Sequence, residues 1–257
     1  MTINDLHMVE TALAGLSAPA APKLADRIFG SWLAAPSRLG EVFVAFTGEG
    51  VQFLRSTESV HDDAGAFAEA YRDRFGRPLR QADRAPAGLL TALRGTLAGS
   101  LRLDLGGLSG FERDVLTATR RIPAGQTRPY GWIACEAGRP RAVRAVGSVL
   151  GRNPVPLLIP CHRVVRADGR LGDYMFGPAH KAELLRAEQV NIDEIAALAR
   201  RGMHFLGSDI TRVVCYPTCH HARRSTPAHR RPFPTINAAL TAGYRPCQHC
   251  RPVHSAG

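Results

Sequence analysis

A thiol, an imidazole and a guanidinium stand side by side at Cys161-His162-Arg163, directly after the apolar run Leu157-Leu158-Ile159-Pro160. Only the thiolate is a strong nucleophile, so a reactive cysteine needs a base or a cation beside it. His162 supplies the one and Arg163 the other. Further on, in KAELLRAEQ, Glu188 adds a carboxylate that can hold one imidazole nitrogen. The other nitrogen is then free to take the thiol proton, directly or through a water. Taken alone, Cys161 reads more readily as a buried structural residue, the usual fate of a cysteine after an apolar run, and only the longer pattern around it reverses that. A second reactive group lies further along: Cys215 and Cys219 are separated by three residues, Cys247 and Cys250 by two, with 27 residues between the pairs. Four thiolates so spaced, in a segment too short for its own large core, point to a structural zinc site. His220, His221, His249 and His254 offer nitrogen ligands as substitutes. Cys135, the sixth cysteine, reads as a buried bystander.

A chain of 257 residues with 45% apolar content can bury a sizeable core in two or three domains. The start, MTINDLHMVETAL, lacks the basic and apolar stretches of a signal peptide, and no apolar run is long enough to cross a bilayer. The expectation is a soluble, cytoplasmic protein with no membrane partner. In that compartment six cysteines serve as thiols or metal ligands rather than disulfides. Charge is uneven. Residues 1–103 balance 11 Lys+Arg against 11 Asp+Glu, whereas residues 104–190 carry 13 against 8 and residues 191–257 carry 9 against 3. Lys23 and Lys181 are the only lysines, so the excess is arginine, whose planar fork suits phosphate. A polyanion, most simply nucleic acid, is the partner this implies.

Several elements must position these groups. Residues 8–33 look helical, broken at Pro19 and Pro22, and form an N-terminal arm. EVFVAFTGEGVQFLR alternates as a hairpin turned at Gly48-Glu49-Gly50. AGAFAEAYRDRFG has helical spacing through Phe67, Tyr71 and Phe75, closed by Gly76; a helix near 86–98 and a short strand, LRLDL, follow. Ser109 and Glu112 stand at capping-box spacing before another helix. TRPYGWIACEAGRPRAVRAVGSVLGRNP reads as helix, tight turn, helix, with Gly138 ending the first and Pro140 in the first turn of the second. Arg139, Arg141, Arg144 and Arg152 surround this corner, whose alanines and glycines permit close approach to another surface. NIDEIAALARRG forms a short joining helix.

GRPRAVRAVGSVLGRNPVPLLIPCHRVVRADGRLGDYMFGPAHKAELLRAE closely resembles the methylated-DNA–protein-cysteine methyltransferases, the O6-alkylguanine-DNA alkyltransferases. The likeness runs from Ser109 to Glu188, centres on Pro160-Cys161-His162-Arg163-Val164, and extends loosely back to Glu41. It implies an α/β plus α architecture: an arm over 1–37, a ribonuclease-H-like α/β domain over 38–105 and a winged-helix-like helix-turn-helix catalytic domain over 106–190. A linker helix over 191–203 and a zinc-binding domain over 204–257 would complete it. The implied activity is irreversible transfer of an alkyl group from O6-alkylguanine in double-stranded DNA, and from O4-alkylthymine, onto Cys161, with no organic cofactor. His162 and Glu188 would activate the thiol, Asn153 would brace the hinge beside it, and Tyr130 would lie near the flipped base. Arg144 would fill the gap in the base stack, Arg141 and Arg163 would add DNA contacts, and Tyr174 would belong to the loop over the pocket.

The tail resembles the zinc domain of bacterial Ada proteins in Cys215, Pro217-Thr218-Cys219 and AALTAGYRPCQHCRP. That resemblance implies Zn2+ on Cys215, Cys219, Cys247 and Cys250, with Cys215 as a second methyl acceptor, from DNA phosphotriesters. Tyr216 departs from the Ada pattern, which has arginine there, so a DNA-docking zinc module without transfer chemistry is the competing reading. Two other classes are a non-catalytic lesion binder, which Cys161 argues against, and a methylation-sensing zinc-dependent regulator of transcription.

Overall fold

The computed structural model describes residues 28–95 and 101–253. The arm expected over 1–37 falls outside these residues up to position 27. Its last part is corrected: Gly30–Ser37 is strand β1, not helix. Trp32-Leu33-Ala34 is apolar enough for either state, and long-range pairing decides for strand. β1 pairs antiparallel with β2 (Gly40–Thr47), and β2 with β3 (Gly50–Ser56), through the expected hairpin. A short β4 (Leu79–Gln81) lies parallel on the far edge of β1, giving the order β3-β2-β1-β4.

Alternation along β2 explains why both faces of this sheet are covered. Phe43 and Ala45 join Phe53, Phe67 and Tyr71 in a cluster under helix α1 (Ala64–Phe75). Val42 and Val44, one pleat over, enter the main core with Val51 and Leu54. Asp63 caps α1 at its start and Gly76, at φ 65°, at its end. The helix expected near 86–98 is described as α2 (Leu89–Leu93). LRLDL makes only a single bridge, Leu103 to Val51, rather than a strand.

Helix α3 (Gly110–Arg120) begins with the expected capping box. Ser109 Oγ accepts the Glu112 N–H, and the Glu112 carboxylate accepts the Ser109 N–H at 2.9 Å. Helix α4 (Tyr130–Glu136) ends at a turn through Gly138, φ 69°, and helix α5 (Val143–Gly151) follows. The second helix therefore starts beyond Pro140, which lies in the turn. Val146, Val149 and Leu150 bury the inner face of α5, leaving Arg144, Ala145 and Ser148 exposed. A two-stranded parallel pair, β5 (Arg128–Pro129) and β6 (Val164–Val165), joins the approach to α4 to the segment after Cys161. Helices α6 (Pro178–Ala187) and α7 (Ile192–Arg200) then lead to the C-terminal module.

That module is a four-stranded sheet, β10-β8-β7-β9, made of β7 (Phe205–Ser208), β8 (Val213–Cys215), β9 (Arg230–Phe233) and β10 (Arg245–Pro246). Two short helices, α8 (His220–Arg224) and α9 (Ile236–Thr241), pack on it. Its buried residues are continuous with the main core. Among the described residues no helix is long and apolar enough to cross a membrane.

Truncating the cap of α3 isolates one local term. Ser109→Ala should lower the unfolding free energy by about 1 kcal/mol, read as a lower urea midpoint at unchanged m-value. An unshifted midpoint would mean that solvent replaces both capping bonds without loss.

Candidate functional site

Cys161 opens a 3-10 turn (Cys161–Arg163) directly after the apolar run. The turn follows a looped return in which Leu157 is held at φ 69°, a left-handed conformation that a branched side chain adopts only when its surroundings impose it. Asn153, fully buried just after α5, ties this loop together. Its Nδ2 donates to the Ile159 carbonyl at 2.9 Å and to Cys161 Sγ at 3.3 Å, while its Oδ1 accepts the Val155 N–H. The end of α5 and the thiol are thus braced by one amide.

His162 is wholly buried, and its Nε2 lies 3.1 Å from Glu188 Oε1. A carboxylate acceptor there fixes the Nε2–H tautomer and leaves Nδ1 as a lone pair, and Nδ1 has no partner among protein atoms. Burial pushes the imidazole below the usual histidine range, although Glu188 pulls the other way. At neutral pH the ring is therefore a neutral base. Burial also pushes the Cys161 thiol up, against the opposing influence of the Asn153 hydrogen bond and the Lys181 charge. The resting pair is thiol plus imidazole, and the thiolate forms when a proton moves.

Glu188 is the most heavily bonded group in the site. Arg163 grips it with two bonds, Nε to Oε2 at 2.9 Å and Nη2 to Oε1 at 2.8 Å. Arg38, from the turn between β1 and β2, adds Nη2 to Oε1 at 2.8 Å, and the Gly125 N–H reaches Oε2 at 3.2 Å. Burial alone would raise this carboxyl, but the bonds from His162 and Arg163 and the guanidinium charge hold it well below the ordinary carboxylate range. Gly125 is needed as glycine: at φ 73°, an added Cβ would sit 2.8 Å from the Glu188 carbonyl oxygen.

Arg163 therefore departs from its expected place at the DNA surface. Its side chain is only 10% exposed, and its Nη1 donates to the Ile122 carbonyl at 2.7 Å. Lys181, Arg38 and Gly125 were not singled out by sequence. Lys181 is fully buried, donates to the Val164 carbonyl at 2.6 Å and the Asp173 carbonyl at 3.2 Å, and is pulled down by burial to about 8. The sequence signal available for it was its rarity, one of two lysines in an arginine-rich chain.

Cys161 lines a cavity of about 930 Å³ together with Tyr130, Arg144, Asp173 and Tyr174. The Tyr130 hydroxyl is pushed up, chiefly by burial and also by the Asp173 charge, so it stays protonated as a donor. Tyr174 stands edge-on to His162 with ring centres 6.0 Å apart, and its buried hydroxyl has no protein partner. Arg144 sits in the first turn of α5, exposed at the cavity wall, and Arg141 is exposed in the turn before it. Cys135 is a free thiol and only half-buried, rather than the buried residue expected.

In the C-terminal module the sulfurs of Cys215, Cys219, Cys247 and Cys250 lie within 4.8 Å of one another, all on buried residues. Tetrahedral zinc with bonds of about 2.3 Å needs sulfurs about 3.8 Å apart, so the set fits that ion with little adjustment. The sulfurs also compete for protons: bonds with Cys219 and Cys250 push Cys215 up, and bonds with Cys215 and Cys250 push Cys219 down. His220, His221 and His249 cluster outside the four, with ring centres 4.0 to 5.8 Å apart, and do not replace a sulfur.

Comparisons with known proteins agree with this geometry. Residues 110–190 match the family profile for the 6-O-methylguanine DNA methyltransferase DNA binding domain, and residues 197–253 match the metal binding domain of Ada. The bifunctional transcriptional activator/DNA repair enzyme Ada of Escherichia coli is 42% identical over 167 residues, 61% of this chain but 45% of that protein, so the chain spans under half of it. The methylated-DNA–protein-cysteine methyltransferase of Salmonella typhimurium is 38% identical over 135 residues, covering 47% of this chain and 79% of that one. Among solved structures, Mycobacterium tuberculosis OGT in complex with DNA superposes with a TM-score of 0.51 at 30% identity, over 64% of this chain and 98% of that one.

The carboxylate cage has a measurable signature. Glu188→Gln should cost about 3–5 kcal/mol by leaving buried guanidinium groups uncompensated. Because the folded carboxyl is depressed, its contribution is complete above the unfolded value of about 4.3 and is lost as pH falls toward the folded value. The stability gap between wild type and Glu188→Gln should therefore narrow in acid. A gap that stays constant from neutral pH to pH 3 would contradict the cage.

Proposed function

The chain belongs to the methylated-DNA–protein-cysteine methyltransferase family, and on that premise we propose that it repairs O6-alkylguanine in duplex DNA by moving the alkyl group onto Cys161. The observation that carries this reading is a buried thiol at the wall of the cavity, beside a neutral imidazole held by a carboxylate. A base inside the helix hides its O6 substituent, so the lesion must first leave the stack at a cost of a few kcal/mol. Arg144, exposed on α5 beside the cavity, fills the gap, and the small exposed residues Ala145 and Ser148 let the helix lie close to the DNA. A cavity of about 930 Å³ has room for one extruded nucleotide base.

The chemistry balances as one displacement. The Cys161 proton passes to His162 Nδ1 through a water, since Nδ1 has no protein partner, and Sγ attacks the alkyl carbon. The carbon–O6 bond breaks, its electron pair stays with the guanine, and the base takes up a proton to become ordinary guanine. Tyr130, kept protonated, donates a hydrogen bond to the departing base. Asn153 steadies the sulfur as charge develops, and Glu188 balances the imidazolium. The thioether is stable, so each molecule acts once. O4-alkylthymine presents the same alkyl-oxygen bond and is a second substrate.

Zinc is the metal of the C-terminal module, held by Cys215, Cys219, Cys247 and Cys250. Bound there, it keeps sulfur anionic and cross-links strands that have little core of their own. Cys215 as a phosphotriester acceptor is supported less well than a structural role, since Cys215 is 2% exposed. Tyr216 beside it is turned inward, its hydroxyl accepting the Val253 N–H at 3.1 Å. The sheet order with a parallel β4 favours a ribonuclease-H-like N-terminal unit, and α4–α5 favour a helix-turn-helix of winged-helix type. The proposed division is a unit from about 30 to 105, a catalytic unit over 106–190, the α7 linker and the zinc module, acting as a monomer at the nucleoid.

Incubation with duplex DNA bearing O6-methylguanine should add one methyl per chain, mapped to the Cys161 peptide, and Cys161→Ala should take up none while still binding DNA. Stoichiometric uptake by Cys161→Ala would reject the assignment. A second methyl on the Cys215 peptide, seen only with methylphosphotriester DNA, would restore that residue as an acceptor.

A further inference from the structure

Arg128 is a buried charge that the acceptor chemistry does not use. It is 2% exposed and opens β5, immediately before Tyr130 and α4. Its Nη1 donates to the Thr127 carbonyl at 2.8 Å and its Nη2 to Gln126 Oε1 at 2.7 Å, both neutral acceptors. Its Nε has no partner. Among the described residues it makes no ion pair with a carboxylate, unlike Arg38 and Arg163. A guanidinium cannot shed its proton to escape burial, so a charge in this position needs compensation from somewhere.

The groups facing it come from α4, which carries Trp132, and from the zinc module, which carries Tyr216. The rings of Trp132 and Tyr216 flank the guanidinium, each with its centre 5.6 Å away. Tyr216 follows Cys215 in the chain, and Thr218 precedes Cys219. Thr218 Oγ1 accepts the Thr127 N–H at 2.8 Å and lies 3.3 Å from the Thr127 carbonyl. The backbone around Arg128 is thus bonded to the loop that carries the first two zinc ligands. Four thiolates on one Zn2+ leave a centre with two net negative charges, spread over sulfurs with no carboxylate among them.

We propose that the zinc–tetrathiolate centre is the counter-charge of Arg128, so that metal loading of the C-terminal module locks the segment from Gly125 to Tyr130 in place. That segment carries the N–H bonded to Glu188 at one end and the cavity tyrosine at the other. Zinc occupancy is thereby linked to the geometry of the acceptor site across a domain boundary. Arg251, next to Cys250, reinforces the seam through Glu136 at 2.5 Å. The inference rests on the zinc assignment and is independent of alkyl transfer.

A thermodynamic cycle tests it on the full chain, comparing wild type, Arg128→Met and Arg128→Lys, each zinc-loaded and zinc-stripped. Zinc retention is read by competition with a chromophoric chelator and stability by the thermal midpoint. Arg128→Met should release zinc about tenfold more readily, whereas Arg128→Lys, which keeps the charge, should stay within about threefold of wild type. Loaded Arg128→Met should melt below loaded wild type; stripped, it should melt at or above stripped wild type, because an uncompensated charge has been removed. A shift of the same sign and size with and without zinc, or unchanged retention in Arg128→Met, would overturn the proposal. If Arg128→Met does not fold, Arg128→Lys decides: retention near wild type supports the pairing, and a tenfold loss overturns it.

Discussion

A carboxylate buried to the depth of Glu188 persists only because donors from every side meet it: His162 and Arg163 from the acceptor turn, Arg38 from the β-sheet unit and Gly125 from the loop before α4. Each of those contacts also constrains its donor. The imidazole acquires one tautomer, the acceptor turn acquires one orientation, and the N-terminal sheet is docked against the catalytic half. Removing the carboxylate would leave cations in a low-dielectric interior, so the site and the fold are stabilised by the same group.

The thiol is treated differently from the carboxylate. Burial keeps Cys161 protonated at rest, and the nearest favourable influences, Asn153 and Lys181, reduce that penalty without cancelling it. The proposed irreversible transfer gains from this arrangement, since a resting thiolate in an open site would react with adventitious electrophiles. In the proposed reaction, ionisation is instead coupled to arrival of a lesion at the cavity, where His162 accepts the proton as the sulfur attacks.

Local chemistry was readable in the sequence where partners are close along the chain. The Ser109–Glu112 cap, the hairpin at Gly48–Gly50, the turn at Gly138 and the paired cysteines all follow from short spacings. The Cys161, His162 and Glu188 set was singled out through the longer motif around Pro160-Cys161-His162-Arg163-Val164, since the residue types alone left a structural cysteine open. What stayed hidden was set by long-range contacts. Gly30–Ser37 becomes a strand because β2 and β4 offer partners on both edges. Arg163 turns inward because a carboxylate 25 positions away outbids phosphate for its fork, and Arg38 joins from 150 positions away. The apolar run before Cys161 gave no sign of its looped path, in which Leu157 is left-handed and Asn153 takes up the Ile159 carbonyl.

The central claim is that His162 is a neutral base whose free nitrogen is Nδ1, held so by Glu188. Nitrogen-15 NMR of imidazole-labelled protein at neutral pH reads this directly. The account predicts a protonated Nε2 and an unprotonated Nδ1, with the ring remaining neutral on titration to below the ordinary histidine range. An imidazolium at neutral pH, or a proton resident on Nδ1, would contradict it.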